Sequence, residues 1–311
     1  MRKLFIGPDG IRAGWRLLLF FIFFAVLGTA LQFLVMRLPV LGAAMKMTHT
    51  GTFAPLGLLG YELANIASVF LAMAAMARLE KRRPGDYGLK PLPGAAKRLA
   101  LGLAFGLLMV AAICALQSAE HVYSFGSLVM APGPALAAGL GWAAAFLLVG
   151  VAEESVFRGY AQFTLAQAMG FWPAAIAISL LFGVTHVSNT NYKAVGVLST
   201  GLLGLFSAFC LRRTGDLWLP IGIHAAFDYA EFFIFFAPSG GRESSAHLLS
   251  ATRQGPGWLT GSTIGPEASI NGYVVLAIAF VVIATLCNPP SDWKNPITNP
   301  RQRPPSASNS K

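Results

Sequence analysis

Polar residues punctuate this chain sparsely, and the apolar stretches between them are long. Crossing about 30 Å of hydrocarbon takes roughly 20 helical residues at 1.5 Å each. Stretches of that order fall at 15–36, 55–77, 99–117, 135–157, 172–188, 194–211, 217–237 and 270–287, the fifth, sixth and eighth being short. Backbone amides inside a bilayer must be satisfied internally, so each stretch should be a helix. The pattern predicts an all-α polytopic membrane protein with about eight transmembrane helices. The first stretch has a longer apolar core than a signal peptide and no clean small-residue cleavage site after it, so it too reads as a span.

The segments between spans have their own character. Residues 78–98 are charged and rich in Pro and Gly, which reads as a loop, and 238–269 is a polar, glycine-bearing loop. Residues 288–311 carry prolines, serines and asparagines with almost no apolar content, the composition of a disordered tail. No internal repeat is visible. Gly102 and Gly106 form a GxxxG in the third span, suited to close helix packing.

Composition agrees with the pattern: 55% of the 311 residues are hydrophobic and 12% charged, with mean hydropathy +0.60. The net charge of +10 would suggest nucleic acid until the basic residues are sorted by loop. With the N-terminus in the cytoplasm, 17 of the 23 Lys and Arg fall inside: four from Arg2 to Arg16, seven from Arg78 to Arg98, Arg212 and Arg213, and four from Lys294 to Lys311. Arg37, Lys46, Lys193, Arg242 and Arg253 fall outside, and Arg158 lies within a span. This is a positive-inside bias that places both termini in the cytoplasm. The basic charge is topological, and the partner is the bilayer rather than nucleic acid. Cys114, Cys210 and Cys287 have no metal-like spacing and read as packing residues.

Against this background, ionisable groups inside spans stand out, because a charge at membrane depth costs at least a few kcal/mol and is kept for a reason. The fourth span ends in Glu153-Glu154 with Arg158 one turn on. Glu154 and Arg158 are i and i+4 with the acid first, the favourable order for an ion pair. Glu153, turned by about 100° on a helix, is left without a local cation and is the better general base. Phe182 and His186 share a face of the fifth span, as do His224 and Asp228 of the seventh. Glu154 and His186 lie sixteen residues either side of Gly170, so a hairpin turning there sets them at similar heights. Gln162, Thr164 and Gln167 suggest that its tip leaves the bilayer. Glu62 and Glu231 are read as packing or water-lining groups, and His49, His121 and His247 are given no role.

The ordered set Glu153-Glu154-x-x-x-Arg158, Phe182-x-x-x-His186 and His224-x-x-x-Asp228, with Leu217-Trp-Leu-Pro220 before the last, resembles the CAAX prenyl endopeptidase and bacteriocin-processing (CPBP, Abi-type) family of intramembrane proteases. The resemblance covers about 135–237. It divides the chain into N-terminal helices with a cytoplasmic loop (1–134), a catalytic helical core (135–237), an outer loop and last span (238–287), and a cytoplasmic tail (288–311). It implies endopeptidase chemistry by a glutamate-activated water. Glu153 would be the base, and Glu154 its supporting carboxylate on Arg158. His186 would orient water or bind metal. His224 with Asp228 would stabilise the oxyanion or complete a metal site. Eukaryotic members commonly carry asparagine at the Asp228 position, and an ionised aspartate cannot donate, which favours orientation of His224 as its role. Glu153, His186 and His224 are a reasonable set for Zn2+ or another divalent metal, although no HExxH helix is present and a metal-free mechanism stays open.

The expected protein is therefore an intramembrane endopeptidase, or metalloprotease, of a membrane-anchored protein or peptide, in a bacterial inner membrane, with its site opening to the cytoplasm. Two other classes compete. A proton-coupled transporter would use the same carboxylates as a relay, and a non-catalytic immunity or chaperone-type protein would bind its target without cutting it.

Overall fold

The computed structural model describes residues 6–7, 10–48, 52–89, 93–187, 194–238 and 242–289. All eight predicted spans are helical. The first is α1 (Ala13–Val35), followed by α2 (Pro39–Thr48), a short helix in a segment expected to be loop. Then come α3 (Pro55–Leu79), α4 (Ala95–Ala119), α5 (Pro132–Met169) and α6 (Phe171–Thr185). The last three are α7 (Ala194–Thr214), α8 (Trp218–Tyr229) and α9 (Ile270–Leu286). Among the described residues α1, α3, α4, α5 and α7 are long and apolar enough to cross a membrane, while α6 and α9 are apolar but shorter. The expected tail lies almost wholly outside the described residues.

Proline starts α3 and α5, where its missing N–H would be unpaired in any case. Gly170, with φ of 84°, breaks the chain between α5 and α6, a conformation that glycine adopts without a Cβ penalty. The hairpin expected there forms. Toward its tip Gln162 and Thr164 are buried, and Gln167 accepts a hydrogen bond from Arg16 Nη2 at 2.8 Å. α1 lies across this arm, with Phe20 stacked on Tyr160.

The GxxxG has a definite partner. A Cβ on Gly102 would overlap the Leu219 carbonyl and one on Gly106 the Ile223 carbonyl, while Gly222 faces the Leu99 carbonyl in return. α4 and α8 thus approach backbone to backbone, which sets the depth and rotation of α8. Two helices also contain π turns, Ser155–Ala161 within α5 and Ala230–Ile234 directly after α8. Each follows a motif acid and re-aims the residues beyond it.

At the end of the bundle where α3 and α5 begin, residues 242–268 fold back as a cap rather than an open loop. Thr52–Phe53 (β1) pairs parallel with Glu243–Ser244 (β3), and Tyr123–Ser124 (β2) antiparallel with Thr252–Arg253 (β4). Trp142 Nε1 donates to the Ala246 carbonyl at 2.8 Å, and Gln117 Nε2 to that of Leu259 at 2.8 Å. The opposite, basic end is closed differently. Glu80 accepts from Arg16 at 2.9 Å, Tyr87 at 3.2 Å and Tyr160 at 2.5 Å, and Leu217 N–H donates to the Gly88 carbonyl at 3.0 Å.

Candidate active site

The polar motif residues of α5, α6 and α8 converge. Glu154 is 1% exposed, and its Oε1 receives Arg158 Nη1 at 3.3 Å and Ser207 Oγ at 3.4 Å, with His224 Nδ1 at 2.9 Å. Arg158 is fully buried; its Nε donates to the Gly204 carbonyl at 3.2 Å, and its guanidinium lies over the Phe182 ring at 4.2 Å. The expected Glu154–Arg158 pair is present, and its surroundings explain how a charge survives at this depth. Both ions carry additional polar or aromatic contacts.

Glu153, one residue earlier, faces the other way. Its side chain is 27% exposed, with Oε2 at 4.0 Å from His186 Nε2 and 3.7 Å from His224 Nε2. Each imidazole is held by its far nitrogen. His186 Nδ1 is 2.8 Å from the Phe182 carbonyl, which can only accept, so Nδ1 carries the proton there. His224 Nδ1 points at the Glu154 carboxylate. Both Nε2 atoms are thereby turned to Glu153.

The expected link between Asp228 and the His224 ring is replaced by another. Asp228 Oδ2 is 3.6 Å from Nε2, beyond hydrogen-bond length, and the group that fixes the ring is Glu154, 70 residues away in sequence. Spacing along one helix cannot reveal a partner on another.

A cavity of about 300 Å3 contains this cluster. Glu62 and Glu231 both line it, as do Glu267 of the cap and Arg242, whose guanidinium stacks on Phe53 at 4.6 Å. The cap residues were not legible as site residues, because no motif or periodicity marks them. Gly204 was missed as well. A Cβ there would overlap Arg158 Nη2, so glycine makes the space for the buried guanidinium.

The cavity lies toward the capped end of the bundle rather than the basic end. The expected opening to the cytoplasm took Glu153 to lie near the end of its span. α5 in fact continues for fifteen residues beyond Glu154.

The proposed metal set does not have metal-holding geometry. Two donors on one tetrahedral zinc, each at about 2.1 Å, stand about 3.4 Å apart. Glu153 Oε2 is wider than that from both Nε2 atoms, and among the described residues no group of three His, Cys, Asp or Glu is placed to hold a metal.

A family model described as Rce1-like, type II CAAX prenyl endopeptidase Rce1-like, matches residues 134–230. The matched stretch runs from the start of α5 to just past Asp228 and contains all three motifs. Comparison with curated proteins gave no match, and neither did comparison with solved structures.

Proposed function

With residues 134–230 belonging to the CAAX-type (CPBP) intramembrane proteases, we propose that the chain hydrolyses a peptide bond of a membrane-associated protein or peptide by a water that Glu153 activates. The observation that carries this is the separation of the two adjacent carboxylates. Glu154 is buried on Arg158 and His224, whereas Glu153 is 27% exposed and faces two imidazoles across the cavity.

A water between Glu153 Oε2 and an Nε2 atom gives one proton toward each, and its oxygen lone pair is then directed into the cavity. As the oxygen attacks the scissile carbonyl carbon, Glu153 takes the proton. The carbonyl π pair moves to oxygen, the C–N bond then breaks, and Glu153 returns the proton to the departing nitrogen. His224, when protonated on both nitrogens, keeps Nδ1 on Glu154 and offers Nε2–H to the oxyanion. Arg158 does not reach the cavity. It is a positioning residue that holds Glu154, which in turn holds His224.

The cluster also argues against a relay. A proton-coupled path needs groups along the whole membrane depth, whereas the basic end here is closed by Phe20, Tyr87, Tyr160 and Leu217, all fully buried. The test is peptidomics of cells expressing the wild type against Glu153→Gln. The variant should insert and fold while losing at least about 100-fold in cleavage, the lower range for loss of a general base. Products made equally by both proteins would sink the proposal and favour a binding protein.

A further inference from the structure

The cavity is lined from one end of the bundle and not from the other. Of α3, which spans Pro55–Leu79, only Leu58 and Glu62 of its first two turns line the cavity. From α6 the lining residues are Phe182 and His186, at its C-terminal end. The remaining wall beyond α5, α7 and α8 comes from Glu231 and Phe232 of the π turn after α8 and from Phe53, Arg242 and Glu267, in segments that join helices at the capped end.

The basic end offers no counterpart. Gly88 and Leu217 are joined by a backbone hydrogen bond of 3.0 Å, and a Cβ at Gly159 would stand 3.1 Å from the Tyr87 carbonyl, so the 84–89 turn is seated directly on α5. Arg98 closes on Asp216 at 2.6 Å beside it. Burial pushes the Asp216 carboxyl up, with Arg98 opposing that shift. Opening this seal would require breaking an ion pair, a backbone bond and the Tyr87–Tyr160 ring contact together.

We infer that the site is loaded from the face opposite the basic loops, which the charge bias makes the extracytoplasmic one, so that its substrate is a chain segment presented on the outer surface rather than a cytoplasmic tail. The inference rests on the protease reading only for what enters, not for where.

The test places single cysteines on the cavity wall, Thr200→Cys and Leu203→Cys, in full-length protein lacking Cys114, Cys210 and Cys287. Arg83→Cys, exposed at the basic end, and Ser245→Cys, exposed on the cap, serve as markers of the two faces. A charged, membrane-impermeant thiol reagent is applied to right-side-out and to inverted vesicles. The expected result is that both wall cysteines label together with Ser245→Cys in right-side-out vesicles, and lose that labelling in inverted ones. Wall labelling from the inverted side, or from neither side while the markers react, overturns the inference, as does an exchange of the two markers. The same wall cysteines carrying Glu153→Gln should label alike. An inactive wild type would therefore undo the protease reading without changing this result.

Discussion

Replacing Glu154 by Gln should destabilise the protein by about 3 kcal/mol, whereas Glu153→Gln should stay within about 0.5 kcal/mol of wild type. The two substitutions are the same chemistry at adjacent positions, so the difference comes from their surroundings. A glutamine carbonyl can take the place of Glu154 Oε1 and keep its contacts with Arg158, Ser207 and His224. The amide then falls at Oε2, which has no hydrogen-bond partner among the described residues. The loss is therefore the charge itself. Breaking a buried ion pair typically costs about 3–5 kcal/mol, and the lower end applies because Arg158 keeps the Gly204 carbonyl and the Phe182 ring face. Glu153 is 27% exposed to the cavity and its nearest imidazole nitrogens are 3.7 Å or more away, so neutralising it strands no partner. Thermal unfolding of both variants in one detergent measures the difference. Adding Arg158→Met to Glu154→Gln should recover part of the loss, since it removes the buried guanidinium that the first substitution leaves without a counter-ion. Equal melting of the two single variants, or no recovery in the double variant, would refute the division of roles between the two carboxylates.

Gly204→Ala should cost about 1–3 kcal/mol by overpacking the Arg158 guanidinium, while Gly201→Ala, whose Cβ would meet only the Ser179 carbonyl at 3.4 Å, should be tolerated; the same melting assay separates them. His224→Ala should lower cleavage by about 100-fold or more, but Asp228→Asn by about tenfold or less, because Glu154 and not Asp228 holds the ring; initial rates on a substrate found by peptidomics decide this. Purified active protein should retain its rate after a strong chelator and show no stoichiometric metal by elemental analysis, and a reversible loss restored by Zn2+ would show that Glu153, His186 and His224 close on a metal after all.

Much of this molecule is legible from residue order alone. The spans follow from runs of apolar residues that have to be helical in a bilayer, and the Gly170 hairpin follows from a glycine between two such runs. The pairing of Glu154 with Arg158 follows from helical spacing, as does the closeness of Phe182 to His186, whose ring centroids lie 4.7 Å apart. These are local relations set by the pitch of one helix or the length of one turn.

What sequence could not supply is how separate helices are rotated against each other. The hold of Glu154 on His224 depends on α8 being drawn onto α4 by Gly102, Gly106 and Gly222, and no spacing within α8 predicts it. The π turns shift the face of α5 just after the acidic pair and have no residue signature. The 242–268 cap brings Arg242 and Glu267 to the cavity through β pairing and side-chain bonds between distant segments. The direction of the cavity was decided there as well. An apolar stretch reports where a helix can lie in the membrane, but where water and substrate can reach depends on which end of the bundle its neighbours seal.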